Sequence, residues 1–241
     1  MTPDAAPVVA LETAGSTNDE AMARLRDTGA PLWVTAARQT AGRGRRGRPW
    51  TSEPGNLYAS YAFTPDWPPR VFGMVPLACA VALADALATF GIEAALKWPN
   101  DVQIDGRKCA GILVDAEGGA GIRRAVIGFG VNVAHSPGDA PATHINAHAP
   151  SVSVASVFAA LQTALAGALE TLGGPDGVGA IRARWLQRAV GIGLPVVVRY
   201  ETKSIEGRFL GLDEDGHLIL EQESGTRTIS AGDVFVRTER L

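Results

Sequence analysis

Between Gly42 and Trp50, four arginines (Arg43, Arg45, Arg46 and Arg48) alternate with three glycines (Gly42, Gly44 and Gly47), and a tryptophan closes the run. An arginine guanidinium presents a flat fork of donors that matches carboxylate and phosphate oxygens. Glycine lets a backbone approach a ligand closely or take positive φ. A loop holding both suits the enclosure of an anion such as a nucleotide phosphate. A solvated basic loop and an RNA-binding arginine–glycine segment have the same composition, so the rest of the chain has to decide between them.

Three further clusters carry chemistry. Lys97-Trp98-Pro99-Asn100-Asp101 ends a strand-like run, and Arg107-Lys108-Cys109-Ala110-Gly111-Ile112-Leu113 sets a lysine inside an otherwise apolar one. Such a lysine either snorkels to solvent or stands as a fixed cation in a pocket, beside a glycine that leaves room for a ligand. Gly128-Phe129-Gly130-Val131-Asn132 puts two glycines and an amide on a strand, and glycine there suggests close approach of a ligand. Ser16-Thr17-Asn18 opens a helical stretch, with Thr17 and Glu20 at capping-box spacing. A helix start also offers free N–H groups and hydroxyls to a polar ligand head.

The elements that position these clusters follow from periodicity and turn residues. Pro7–Leu11, Pro31–Ala37, Asn56–Phe63, Glu93–Trp98 and Val102–Ile104 read as strands, and Asp105-Gly106 as a hairpin turn. KCAGILVDAE and RRAVIGFGVNVA read as adjacent antiparallel strands joined by a Gly-rich turn. Ser153–Leu172 and Val178–Val190 read as amphipathic helices. Ser136–Pro150 reads as a loop; it and the 42–48 loop are expected to be mobile in the empty protein. From Pro195 the texture changes to short β-rich runs separated by Asp213-Glu214-Asp215-Gly216 and Ser224-Gly225, the pattern of a small antiparallel barrel of about five strands. The expected division is residues 1–191 for the larger domain and 192–241 for the barrel.

Composition narrows the classes. With 241 residues, 20% charged and 46% apolar, the chain can bury a core of ordinary size. The net charge of -3 argues against a general nucleic-acid binder, since the positive charge is local. Two cysteines, Cys79 and Cys109, give neither a disulfide framework nor a metal pair and suit a reducing cytoplasm. His144 and His148 lie four apart without a nearby carboxylate or cysteine, and no metal site is expected there. The apolar stretch Val71–Ile92 contains Pro76 and Asp85 and reads as a core helix, not a membrane span.

Taken together, STN (16–18), GRGRRGRPW (42–50), KWPND (97–101), RKCAGIL (107–113) and IGFGVNV (127–133) resemble, in order and rough spacing, the bacterial biotin–protein ligases. The resemblance runs from about residue 8 through the C-terminal barrel, and the arginine loop combined with KWPND is its most specific part. It implies an α+β fold related to class II aminoacyl-tRNA synthetases, a mixed sheet with packed helices, followed by an SH3-like β-barrel. It implies two steps: biotin and ATP give biotinyl-5′-AMP and pyrophosphate, and a lysine of a biotin carboxyl carrier protein then takes the biotinyl group. Mg²⁺ would accompany ATP, no nucleic acid or membrane is implied as partner, and monomer or homodimer is left open. Some relatives carry an N-terminal DNA-binding domain. Only about seven residues precede the first strand here, so a monofunctional ligase without repressor function is expected.

Carried over by that resemblance, Ser16, Thr17, Asn18 and Gln39 would hold the ureido and ring end of biotin. Gly42, Arg43, Gly44 and Arg45 would fold over its carboxylate and the α-phosphate, with Arg46 and Arg48 helping at the phosphates. Lys108, beside Gly111, would stabilise the developing charge at the adenylate. Trp50 and Asn132 would hold the adenine, Asp101 would position the incoming lysine or the adenylate, and Arg237 would reach ATP from the barrel. The catalytic set would then be Lys108, Arg43, Arg45 and Asp101. The nucleophiles belong to the substrates, so orientation and fixed cations are what the protein must supply. Rival readings are a lipoate or octanoate ligase of the same fold, a nucleic-acid-binding module and a catalytically silent binding protein. The first lacks this form of the arginine loop; the second leaves Lys108, KWPND and the STN helix start without a purpose. The third has to accommodate a full set of adenylation residues.

Overall fold

The computed structural model describes residues 2–118, 122–138, 141–200 and 202–237. Seven strands form one sheet: β1 (Val8–Ala14), β2 (Leu32–Gln39), β3 (Leu57–Phe63), β4 (Ala95–Lys97), β5 (Asp101–Ile104), β6 (Arg107–Gly118) and β7 (Ile122–Val131). Their order across it is β1-β2-β3-β7-β6-β5-β4. Only β1 and β2 pair in parallel, because α1 (Thr17–Thr28) carries the chain between them; the other pairings are antiparallel.

The two faces of this sheet are used differently. On one, Trp33, Tyr61, Ala125, Ile127 and Phe129 meet α3 (Val75–Ala88), α4 (Val154–Gly173) and α5 (Gly177–Leu186) in the main core. On the other, alternation presents Val34, Ala62 and Val126 to Ala21, Met22 and Leu25 of α1. Helix α1 covers only part of that second face. Further along the same strands Gly128 of β7 still meets Asn18 of α1, but no helix lies against Gly130 of β7 and Gly111 of β6. The bare stretch is the floor of the cleft.

The apolar run Val71–Ile92 is a core segment, as expected, but it is two helices. A short α2 (Pro69–Gly73) ends at Met74, and Pro76 sits in the first turn of α3, where its missing N–H breaks no helical bond. Asp85, the charge in that run, is satisfied by Arg184 of α5 and by Arg188 just beyond it at 2.9 Å. Helix α4 is, among the described residues, the one helix long and apolar enough to cross a membrane; here its Leu161, Leu165 and Leu172 are buried in the core. Its start carries a reciprocal cap, Ser153 Oγ accepting from Ser156 N at 3.1 Å and Ser156 Oγ from Ser153 N at 3.0 Å.

At the C-terminus, β8 (Pro195–Arg199), β9 (Ser204–Leu212), β10 (Leu218–Gln222), β11 (Gly225–Ile229) and β12 (Asp233–Val236) form a five-stranded antiparallel sheet. Val196, Val198, Phe209, Leu218, Leu220 and Val234 fill its interior. The turn between β9 and β10 docks on the larger unit: Trp98 Nε1 donates to the Gly216 carbonyl at 3.0 Å. Gly216 has φ of +77°, and a Cβ there would press on Leu77 and Met74 at 2.8 and 2.9 Å. That is a close approach only glycine permits.

Candidate active site

A cleft of about 610 Å³ opens on the uncovered face, bounded by the start of α1, the arginine loop, the Lys97–Asp101 turn and Asp233 to Phe235 of β12. Its floor is one row of cross-strand neighbours: Gly130, Gly111, Asp101 and Lys97 are successive Cα partners on β7, β6, β5 and β4.

Lys108 reaches this floor through a bulge. It lies three positions before Gly111, so in a regular strand the two would face opposite ways. The register shifts where β5 meets β6: Val102 pairs with Ala110 but Gln103 with Lys108, leaving Cys109 as the extra residue. Cys109 and Ala110 both turn to the core, and Lys108 swings onto the cleft side. Its Nζ lies 2.5 Å from Asp101 Oδ1 and 5.4 Å from the centre of the Trp50 ring. The Cys109 thiol, pushed up to about 12 by burial, rests against the Asn132 carbonyl at 3.6 Å.

At one end of the cleft the groups are uncharged hydrogen-bonding ones. Thr17–Glu20 spacing suggested a capping box, but Ser16 is the N-cap residue and makes no side-chain cap. Gln39 instead takes the Thr17 N–H on Oε1 at 2.8 Å and donates through Nε2 to Ser52 Oγ at 3.0 Å. Asn18 donates to Asp115 Oδ2 at 2.8 Å and accepts from Ser60 Oγ at 2.6 Å. All of Ser16, Thr17 and Asn18 are buried, so this end is pre-assembled.

The strand glycines make room, and what fills much of it is protein. A Cβ on Gly128 would collide with the Asn18 amide, and one on Gly130 would lie 2.6 Å from Cε2 of Trp50. The Trp50 ring thus packs against Gly130 and Gly111, its Nε1 buried without a partner among the described residues. Asn132 is fixed by donating to the Thr143 carbonyl at 3.1 Å, and its Oδ1 makes no hydrogen bond among the described residues. The 141–149 part of the supposed loop is stitched to the same strands, through Thr143 N to Lys108 O at 2.9 Å and Ile145 N to Asn132 O at 3.0 Å. Positions 139 and 140 lie outside the described residues.

The arginine loop is a tight hairpin closed by Trp50 N to Gly42 O at 2.9 Å and Gly44 N to Arg48 O at 2.7 Å. Arg46, at its tip, takes positive φ (56°). A carboxylate that sequence reasoning missed gathers the loop's side chains. Asp233, at the start of β12, pairs with Arg48, lies 3.6 Å from Arg46 and 4.0 Å from Arg45. Arg45 also donates to Asn100 Oδ1 at 3.1 Å and to the Gly232 carbonyl at 3.2 Å. Burial lowers the pKa of its guanidinium, and Asp233 opposes that shift. Arg43 points the other way, to Asp19 at 2.5 Å.

Most of the expected residues therefore meet in one cleft: Ser16, Thr17, Asn18, Gln39, Arg43, Gly44, Arg45, Arg48, Trp50, Asp101, Lys108, Gly111 and Asn132 line it. Gly42 and Arg46 belong to the hairpin frame. Arg237 lies outside the lining, exposed and ion-paired with Glu206 at 3.0 Å. A second cluster of titratable groups, Asp213, Asp215 and His217, is explained by the β9–β10 turn: Asp213 Oδ1 accepts from the backbone N–H groups of Asp215 and His217, each at 2.9 Å.

Comparison with known proteins agrees with this geometry. Residues 11–132 match the Biotin/lipoate A/B protein ligase family, and residues 191–237 the Biotin protein ligase C terminal domain. The chain is 36% identical to the biotin–[acetyl-CoA-carboxylase] ligase of Paracoccus denitrificans, over 93% of this chain and 98% of that protein. It is 31% identical to the bifunctional ligase/repressor BirA of Escherichia coli, over 98% of this chain and 75% of that one. Among solved structures, the Aquifex aeolicus biotin protein ligase in complex with biotin and ATP superimposes with a TM-score of 0.82 at 25% identity, covering 96% of this chain and 98% of the other. The Leishmania major enzyme in complex with biotinyl-5-AMP gives 0.67 at 26% identity, covering 93% and 99%. The chain belongs to the biotin/lipoate A/B protein ligase family, and within it to the biotin protein ligases.

Proposed function

We propose that this protein is an ATP-dependent biotin–protein ligase that forms biotinyl-5′-AMP and transfers biotin to a lysine of a biotin carboxyl carrier protein. The observation that carries this is the polarity of the cleft. Buried neutral donors and acceptors at the start of α1 suit a ureido ring, the Arg45/Arg48 side suits polyphosphate, and the Lys108–Asp101 pair lies between. The division into a catalytic unit, 1–191, and a C-terminal unit, 192–241, fits the two sheets.

In the first step a biotin carboxylate oxygen forms a bond to the α-phosphorus of ATP. The bond from that phosphorus to the bridging oxygen breaks, and pyrophosphate leaves with the electron pair. The protein's work is to hold the two anions together and offset the charge that gathers between them. Lys108 stands at that point, oriented by Asp101, with Arg43, Gly44 and Arg45 above. Asn132 Oδ1 accepts from the adenine amino group while Trp50 gives the base a flat apolar neighbour. Arg237 would have to leave Glu206 to reach the nucleotide.

In the second step a neutral carrier lysine attacks the acyl carbon, AMP leaves with the electron pair, and a proton is lost from the new amide nitrogen. Asp101 is placed to orient the incoming amine. Among the described residues, Asp101 and Asp233 are the carboxylates lining the cleft, and both are engaged by protein cations. Mg²⁺ would accompany ATP and offset part of the triphosphate charge. Buried, unpaired Cys79 and Cys109 suit a reducing cytoplasm.

The test is mass spectrometry of the protein with MgATP and equal amounts of biotin, lipoate and octanoate, followed by an apo carrier domain. Biotinyl-AMP and one biotin-sized gain on the carrier are expected. A lipoyl or octanoyl adenylate would move the assignment to the neighbouring activity.

A further inference from the structure

Lys97 stands apart from the other cations of the cleft. It is the Cα partner of Asp101 and ends the row of residues that forms the floor. Yet it makes no ion pair and no hydrogen bond among the described residues, whereas Lys108 is held by Asp101 and Arg45, Arg46 and Arg48 by Asp233. Its one specific neighbour is a ring: Nζ lies 4.8 Å from the centre of Phe235 on β12, whose other cationic neighbour is Arg199 at 4.5 Å. Burial lowers its pKa from the ordinary lysine value, Asp101 and Asp233 raising it and Lys108 lowering it further.

A partly desolvated ammonium with no ion pair of its own costs free energy that Asp101 and Asp233, acting at longer range, offset only in part. Methionine would fill the same space against Phe235 at no such cost. The cation is justified by something that enters the cleft carrying negative charge. Its place narrows what that is. Lys97 lies beyond Lys108 and Asp101 from the neutral end, between them and the seam where Arg45, Arg46 and Arg48 converge on Asp233. There four cations face one carboxylate.

We propose that Lys97 is a phosphate-binding residue that holds the β- and γ-phosphates of ATP and then the departing pyrophosphate. This rests on the adenylation chemistry above. As the bond between the α-phosphorus and its bridging oxygen breaks, the electron pair passes to pyrophosphate, and an ammonium at that end offsets the charge gained. The transfer step involves no pyrophosphate and makes no use of this contact. The two lysines of the floor thus divide the work: Lys108 serves the centre where bonds change, Lys97 the leaving group.

The experiment compares Lys97→Met and Lys97→Arg with the unmodified protein in each half-reaction. The first is biotin-dependent exchange of labelled pyrophosphate into ATP; the second is transfer from supplied biotinyl-5′-AMP to an apo carrier domain. Loss of a charge-assisted phosphate contact predicts a rise of about tenfold or more in the KM for pyrophosphate in Lys97→Met. Lys97→Arg should recover most of it, and the transfer rates should stay within about twofold of each other, with thermal stability no lower. Equal losses in both half-reactions, or an unchanged KM for pyrophosphate in Lys97→Met, would overturn the proposal. Absence of exchange in the unmodified protein with biotin would overturn the adenylation reading itself.

Discussion

The side-chain amide of Asn18 occupies the space that a Cβ on Gly128 would need, so these two residues are fitted to each other across α1 and β7. Asn18 cannot step aside cheaply, because Ser60 and Asp115 hold its two ends. Gly128→Ala should therefore push Asn18 out of register and open the neutral end of the cleft. We expect biotin binding, read by calorimetry, to weaken about tenfold or more, the cost of misplacing one or two buried hydrogen bonds. Gly128→Ala binding biotin normally would show that Asn18 does not position it.

Arg45 is held at both ends of its fork, by Asn100 and the Gly232 carbonyl, and is partly buried beneath the hairpin. Arg45→Ala should slow adenylate formation and shorten the life of bound biotinyl-AMP by about tenfold or more, since a bidentate charged contact is lost. Arg45→Lys should not restore it, because an ammonium cannot reproduce the fork. Stopped-flow formation and filter-binding release measure both. Unfolding of Arg45→Ala at ordinary temperature would assign the residue to the seam instead of the reaction.

What could be read from the sequence was whatever one stretch of chain decides. Strand alternation, the Asp105-Gly106 turn and the glycines of β7 were all legible, whereas the grouping of Lys108, Asp101 and the arginine loop came only through the family resemblance. What was not legible came from contacts between distant stretches. Thr17 and Glu20 have the spacing of a cap, yet Gln39, twenty-two positions on, takes the Thr17 N–H. Gly130 advertises a close approach without saying that Trp50 makes it. The bulge that turns Lys108 into the cleft is a property of the β5–β6 pairing, and no pattern within β6 marks it. Asp233 is one acidic residue in an ordinary β-run; its meaning lies 185 positions away at Arg48.

Alkaline pH should weaken the fold through Tyr58. Its hydroxyl donates to the Glu53 carbonyl at 2.8 Å, and burial, helped by the Glu53 charge, pushes its pKa up to about 12. The unfolded value is about 10. The folded pKa is the higher, so the stability it brings is complete below about pH 10 and is lost as pH rises through about 12. Each unit corresponds to about 1.4 kcal/mol, so the loss from this residue is at most about 3 kcal/mol. Denaturant unfolding at pH 8 to 12 should show Tyr58→Phe less stable at the neutral end and less steep above it. Tyr61, also raised to about 12 by burial, supplies remaining slope. Parallel curves would remove Tyr58 as a source.

Asp233 should prove to be the anchor of the arginine loop. Its carboxylate is mostly covered, its side chain 19% exposed, and the hairpin side chains Arg45, Arg46 and Arg48 all lie within 4.0 Å of it. Asp233→Asn keeps the shape and removes the charge, leaving three guanidinium groups close together with nothing between them. The hairpin should then lift from the C-terminal sheet. Amides 43–48 are expected to exchange hydrogen at least about tenfold faster without ligand, as a local opening of low free energy. Adenylation should need more ATP, because ordering the loop is now charged against nucleotide binding. Saturating MgATP should restore protection, since phosphate oxygens give the arginines the counter-charge they lost. A lower KM for ATP in Asp233→Asn would reverse the argument: the carboxylate would then be a competitor that occupies the phosphate site, and its removal would free the arginines for the substrate.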